Sequence, residues 1–307
     1  MNPLVLVGPT ASGKSAVAMA IARLRGPRVE LVSVDSMQVY RGMDVGTAKP
    51  TAEERAEVRH HVLDLVEPTD DFSVARHQQA VAEALADIAE RGQRAVLVGG
   101  TGLYVRATVD GLTIPGQWPG VKADLDAEPD TAALHRRLAD LDPPAAERIE
   151  PGNRRRIVRA LEVTIGSGRP FSSFGPGLAR YDHDVPFQLA GLRASRDVLR
   201  QRIEERFTAM VAGGLLDEVR TLAAGPRLST TAGQALGYRE LLRHVVDGEP
   251  LAACVDEAVR RTRAFARRQE AWFRRDPRIT WYDVHDPAEI GAVAQRVLGD
   301  WEDRCRP

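Results

Sequence analysis

The amino-acid sequence predicts an α/β fold: a parallel sheet covered by helices, with a separate helical segment inserted into it. Three observations predict this. A glycine-rich loop, Gly8 to Ser15, stands between a short apolar run and a helix-like segment. Further short apolar runs alternate with amphipathic stretches, which is the rhythm of βαβ units. That rhythm stops after Leu112 and returns near Pro186.

The elements follow in order. PLVLVG (3–8) is unbroken in apolar character and reads as a buried strand. After the loop, SAVAMAIARLRG places Val17, Ala20, Ile21 and Leu24 on one helical face, with Gly26 as its stop. RVELVSVD (28–35) is the second strand, and HHVLDLVEP (60–68) is expected to be a third, bounded by Pro68. SVARHQQAVAEALADIAERG is a helix with Ser73 as N-cap and Gly92 as its C-terminal glycine. RAVLVGG (94–100) is another buried strand. TIPGQWPG and DAEPD are loop-like, and TAALHRRLADLD and NRRRIVRALEVTIGSG are helical. PFQLAGLRAS (186–195) returns to the sheet. Three helices are expected over 195–224, 232–247 and 250–275, then a strand RITWYDV (278–284) and a closing helix PAEIGAVAQRVLGD. The expected organisation is a core of 1–114 and 186–307 and a helical insertion domain over 115–185.

Composition removes several classes. Of 307 residues, 43% are hydrophobic and 28% charged, enough for a sizeable core and too apolar for a disordered chain. Cys254 and Cys305 are far apart, so neither a disulfide framework nor a metal-finger spacing is signalled, and a reducing cytoplasm is expected. No apolar run approaches the roughly 18 residues of a membrane span, and nothing near the first residues reads as a signal peptide. His60 and His61 are adjacent and would face opposite ways in a strand. The DHD at 182–184 lacks a ligand set, so no zinc site is expected.

The loop GPTASGKS spells G-x-x-x-x-G-K-[ST], which makes the predicted core P-loop NTPase-like. Around Gly8, Thr10, Ala11, Ser12 and Gly13 the backbone can curl so that N–H groups point at phosphate oxygens. The following helix N-terminus adds partial positive charge. Lys14 can neutralise the outer phosphate and Ser15 can hold Mg²⁺. The usual use of such a loop is nucleotide binding, ATP above all; a departing diphosphate fits it equally. In SVDSMQVYRGMDVGTAKP (33–50), Asp35 ends a strand, and ligands bind at the carboxyl ends of parallel strands. Asp35 could hold Mg²⁺ through water, take a proton from a nucleophile, or only cap a turn with Ser36. Lys49 is either a second phosphate cation or a solvated lysine. VLVGGTGLY (96–104) brings Thr101 to the same sheet edge; it is not G-x-G-x-x-G, so no dinucleotide site is signalled, and its glycines could serve packing alone.

Net charge is −1, yet the basic residues are unevenly placed: three are lysines (Lys14, Lys49, Lys122) and the rest arginines. Between Arg260 and Arg278 stand eight arginines against Glu270 and Asp276. Arg260, Arg267 and Arg274, and beside them Arg261, Arg268 and Arg275, make two helical stripes with a step of roughly 10 Å. NRRRIVR (153–159) is a second cluster. A charge run is ordinarily a solvated face; two of them in a near-neutral protein point to a polyanion such as RNA, with Arg267 and Arg274 on phosphate. Arg202 and Arg206, four residues apart, could clamp a diphosphate or be surface charge. The residues alone leave two classes open: a P-loop small-molecule kinase, or an enzyme with a diphosphate leaving group and an RNA acceptor. A regulatory GTPase lacks its N-K-x-D and D-x-x-G motifs here.

Together, GPTASGKS, VSVDSMQVYRGMDVGTAKP, VLVGGTGLY, RALEV, QRIEERF, GQALGYRE and RRQEAWFRRD resemble the tRNA dimethylallyltransferase (tRNA isopentenyltransferase) family, in its compact bacterial form without a zinc-finger tail. The resemblance implies transfer of a dimethylallyl group from dimethylallyl diphosphate to N6 of adenine 37 beside the tRNA anticodon, with release of diphosphate. By match, Thr10 to Ser15 cradle diphosphate with Ser15 on Mg²⁺, Asp35 is the general base, Thr101 lies at the reaction centre, and Arg206 binds diphosphate. Ser36, Met37 and Gln38 sit at the base, with Gln38 as its contact. Arg155, Arg156, Arg159, Gln234, Gly237, Tyr238, Arg239, Gln269 and Arg274 match tRNA-contacting stretches. Gly152–Asn153 stands where the family usually has Asn-Asp. The implied partners are the tRNA anticodon stem-loop and dimethylallyl diphosphate, with no membrane, and a monomer is expected.

Overall fold

A computed structural model describes residues 2–175, 178 and 180–303; Cys305 lies outside them. Six strands form one sheet: β1 (Leu4–Val7), β2 (Val29–Val34), β3 (His60–His61), β4 (Arg94–Gly99), β5 (Gln188–Arg193) and β6 (Thr280–Asp283). Their order is β3-β2-β4-β1-β5-β6, and every neighbouring pair is parallel. β1 is fully buried on both faces, which is why its sequence is a continuous apolar run rather than an alternation.

Register aligns the strand ends. Val7 of β1 and Val34 of β2 both stand opposite Gly99 of β4. The residues that follow, Gly8, Asp35 and Gly100, therefore leave the sheet at one edge. β1 lies between β4 and β5, where successive crossovers turn in opposite directions. Such a reversal leaves a crevice at the carboxyl ends of the strands.

The helices of this part are α1 (Lys14–Arg25), α2 (Ala52–Glu57), α3 (Val74–Glu90) and α4 (Gly102–Val109) before the insertion. Ser73 caps α3 by accepting from the Arg76 N–H. The insertion, Asp110–Asp182, forms a compact unit of its own, and the rest of the chain forms the other. It carries α5 (Pro119–Ala127), α6 (Thr131–Leu141), α7 (Pro143–Arg148) and α8 (Arg154–Ser167) around a core of Leu125, Leu134, Leu138, Ile157 and Leu161. After β5 come α9 (Arg196–Ala212), α10 (Leu215–Ala224), α11 (Tyr238–Asp247), α12 (Leu251–Phe273) and α13 (Ile290–Asp303). One core joins Val5, Val7, Val32, Leu97 and Tyr238; a second joins Leu4, Leu6, Ile21, Val96 and Trp301 on the other face of the sheet.

Two expectations change in detail. The helix foreseen over 195–224 is two helices, divided at Gly213–Gly214, where Gly214 has φ +99°. The strand foreseen over 60–68 is only His60–His61. Val62 and Asp64 take φ of +62° and +54°, left-handed values that end a strand. The chain then pairs back only through a bridge from Val66 to Tyr40.

Candidate active site

The loop after β1 is shaped by close approach. A Cβ on Gly8 would lie 2.4 Å from the Leu192 carbonyl oxygen of β5, so only glycine fits there. Ala11 and Gly13 are left-handed at φ +64° and +92°, which turns the chain into α1. Gln269 of α12, itself buried, bridges two strand ends: its Oε1 accepts from the Thr10 N–H at 2.8 Å and its Nε2 donates to the Gly100 carbonyl at 2.8 Å. Those partners are 259 and 169 residues away in sequence, and no local pattern marks them.

Two cations and one carboxylate share this edge. The Lys14 ammonium donates to the Gly8 and Pro9 carbonyls at 2.9 and 2.7 Å. Burial, then the nearby Arg206 charge, lower its pKa to about 7, while Asp35 pulls it back up. Arg206 of α9 donates to the Thr10 hydroxyl at 3.4 Å; burial lowers its pKa too, and Asp35 again opposes. Asp35 therefore sits within the field of both cations. Its Oδ1 also accepts from the Met37 N–H at 2.8 Å, an Asx-turn that fixes the carboxylate. Asp35 thus caps its own turn while it stands near Lys14 and Arg206. Thr101 leads into α4, and its Oγ1 lies 3.4 Å from the Ser36 N–H and 3.5 Å from the Ser36 hydroxyl. Tyr104, one turn on, is buried; burial first, then Tyr40 and Asp35, push it up to about 12. Ser15 is exposed, and no group among the described residues partners its hydroxyl.

Chemically, this edge can hold a polyanion on N–H groups and two half-buried cations, beside a carboxylate aimed by its own turn. Comparisons with known proteins give the family. The sequence profile of the IPP transferase family matches residues 38–276. The chain belongs to this family. The tRNA dimethylallyltransferase of Kineococcus radiotolerans is 48% identical, over 96% of this chain and 95% of its own. That of Bifidobacterium animalis subsp. lactis is 45% identical, over 93% and 83%. The crystal structure of the tRNA isopentenylpyrophosphate transferase from Bacillus halodurans is 38% identical, covers 99% of this chain and 98% of that one, and superposes with a TM-score of 0.69.

In this IPP transferase the remaining candidates take varied places. Gln38 has a fully engaged amide: Ser33 Oγ donates to its Oε1 at 2.7 Å, and its Nε2 donates to the Thr47 and Ala48 carbonyls. Lys49 is neither a phosphate cation nor solvated. It is buried, and its ammonium donates to the Tyr40 carbonyl, Asp44 and Asp64. Arg202 gives its guanidinium to the carbonyls of Ala11, Val284 and His285, while its neighbour Arg206 faces the loop. Tyr238 is fully buried, behind the left-handed Gly237 (φ +88°), whereas Gln234 and Arg239 are exposed. Within the insertion, Arg155 and Arg156 are exposed, and Arg159 donates to the Pro115 and Gly116 carbonyls and pairs with Glu162. On α12, Arg260 pairs with Glu257, Arg261 with Glu257 and Glu240, and Arg274 with Glu270 at 2.6 Å. Arg267, Arg268 and Arg275 are exposed with no carboxylate partner among the described residues, Arg268 lying over the Phe265 ring. Those three are the free part of the basic stripes.

Proposed function

We propose that this enzyme transfers a dimethylallyl group from dimethylallyl diphosphate to the exocyclic N6 of adenine 37, beside the anticodon of a tRNA. The observation that carries the reading is the grouping of Lys14, Arg206 and Asp35 at one strand edge. The adenine amine is a poor nucleophile because its lone pair is delocalised. An allylic carbon compensates by tolerating positive charge as its C–O bond breaks. The electron pair of that bond leaves with diphosphate, where the loop N–H groups, Lys14 and Arg206 meet it. As the N–C bond forms, Asp35 removes a proton from the amine. Thr101 lies beside the reacting centre. The purine must leave its stack to arrive here, which costs less in a loop than in a duplex.

Mg²⁺ fits the donor set: the exposed Ser15 hydroxyl is a hard oxygen without a partner among the described residues, and magnesium commonly keeps few protein ligands alongside substrate phosphates. When bound, the ion would neutralise charge on the diphosphate. Arg267, Arg268 and Arg275, with Arg155, Arg156 and Arg239, supply the tRNA backbone contacts. No helix among the described residues is long and apolar enough to cross a membrane. We place the reaction in the cytoplasm, where tRNA is, and the enzyme as a monomer on the anticodon stem-loop.

The test offers the enzyme an anticodon stem-loop with either dimethylallyl diphosphate or ATP and reads the RNA by mass spectrometry. A dimethylallyl mass increment with the first donor alone is expected. Consumption of ATP with unprenylated RNA would instead establish a kinase.

A further inference from the structure

The segment that carries Asp35 and Gln38 is tied to a distant helix by one carboxylate. Glu218 of α10 accepts from three successive backbone N–H groups. Its Oε2 takes those of Asp44 and Val45 at 2.7 and 2.8 Å, and its Oε1 takes that of Gly46 at 3.2 Å. The same Oε1 accepts the Tyr238 hydroxyl. Gly46 is required for the approach, since a Cβ there would stand 2.5 Å from the Tyr238 ring. The next two carbonyls, Thr47 and Ala48, accept from the Gln38 amide, and Gln38 accepts from Ser33, two residues before Asp35. On the other side, Tyr238 opens α11. The Gly237 N–H donates to Glu240, which pairs with Arg261 of α12.

We infer that Glu218 is a positioning residue: through the amides of residues 44–46 it fixes the Gln38 side chain and the Asp35 turn for the incoming adenine. The inference rests on the proposed function, because it gives that same site its alignment. Three amides converging on one carboxylate make charge-assisted hydrogen bonds, which are shorter and stronger than neutral ones. Loop segments without such anchors sample several conformations. The tie also joins the two surfaces a tRNA would touch, the α11 start with Arg239 and the segment with Gln38, to one carboxylate. Lys49 reinforces it from below by holding the Asp44 carboxylate and the Tyr40 carbonyl.

Glu218→Ala, Glu218→Gln and Tyr238→Phe test this. In Glu218→Ala, kcat/KM for the stem-loop should fall about 10- to 100-fold, the range a misplacement of about 1 Å produces. The Kd for dimethylallyl diphosphate should stay within about twofold, because its cradle is untouched. Glu218→Gln can still accept from two amides with its oxygen and donate to the Tyr238 oxygen, so it should recover most of the loss; Tyr238→Phe should fall between. Amide hydrogen exchange gives a readout independent of RNA: Asp44, Val45 and Gly46 should lose protection in Glu218→Ala, whereas Asp44 and Val45, which share Oε2, should keep it in Glu218→Gln. If the stem-loop kinetics of Glu218→Ala match those of the parent, or donor affinity falls in step with them, the positioning role is wrong. Unchanged exchange at residues 44–46 in that variant overturns it as well. Failure of the parent enzyme itself to prenylate RNA would sink the proposed function instead, and the exchange result would still report on the tie.

Discussion

At the scale of single residues, Asp35 and Lys14 make separable predictions. Asp35→Ala removes the proposed proton acceptor and leaves the loop amides and the arginines of α12 in place. Transfer should fall by about 10²–10⁴-fold, the usual worth of a general base, while stem-loop affinity stays within a few-fold. Single-turnover transfer rates beside filter-binding affinities read both; near-parental transfer by Asp35→Ala would remove it from the mechanism. Lys14 is a base whose pKa is lowered from 10.5 to about 7 by burial and then by Arg206. Between those values the free enzyme holds fewer protons than the unfolded chain, so this group's contribution to stability rises with pH across that window. A bound diphosphate favours the charged ammonium and reverses the shift. Donor binding should therefore take up a proton near and above pH 7, and affinity should weaken as pH rises through 7 to 9. Calorimetry in two buffers of different ionisation enthalpy measures the uptake, and Lys14→Met should abolish it. Equal heats in both buffers for the parent enzyme would show that Lys14 is already charged when empty.

At the scale of elements, what the sequence disclosed and what it hid divide by sequence distance. The loop after β1, the Asp35 turn after β2 and Thr101 after β4 were legible, because each is a strand end with its chemistry in adjacent residues. The register that sets Val7, Gly99 and Val34 in one row then brings them together. The resemblance gives Gln269 as tRNA-contacting, and no local pattern ties it to Thr10 and Gly100 or marks Glu218, since their partners lie 169 to 259 and 172 to 174 residues away. Lys49 reads locally as solvated or phosphate-bound because nothing nearby in sequence announces Asp64 beside it. HHVLDLVEP looked like a strand by composition, but the left-handed Val62 and Asp64 end it, and the Asp64 carboxylate is held by Lys49 and Arg55. Gln269 gives a prediction for α12. Gln269→Ala leaves the half-buried Thr10 N–H and the buried Gly100 carbonyl without these partners, which should cost about 1–3 kcal/mol in denaturant unfolding and weaken donor binding. The arginines of the same helix give another. Arg267→Ala with Arg275→Ala should reduce the slope of log affinity against log salt by about 2, whereas Arg260→Ala, already neutralised by Glu257, should barely change it. An unchanged slope in the double variant would place the RNA elsewhere.

At the scale of the whole molecule, the two compact units have separate cores and separate chemistry. The P-loop unit buries its sheet between two apolar layers and contains every residue of the cation–carboxylate edge. The Asp110–Asp182 unit has its own core, with Leu138 fully buried at its centre, and offers Arg155 and Arg156 from the first turn of α8. Asn153 caps that turn by accepting from the Arg156 N–H, so the two arginines are held at a defined helix start. Damage to the small core should therefore reach RNA binding and spare the donor. Leu138→Ala opens a cavity that costs about 2–5 kcal/mol where a core relaxes only partly. A unit of this size cannot absorb that loss without melting near working temperature. Calorimetry of Leu138→Ala should show an early transition that dimethylallyl diphosphate does not move, followed by a main transition that the ligand raises as in the parent. Stem-loop affinity should fall while donor Kd holds. A single transition, shifted down as a whole and still raised by the ligand, would mean that the two cores unfold together and that the insertion is a structural part of the donor site.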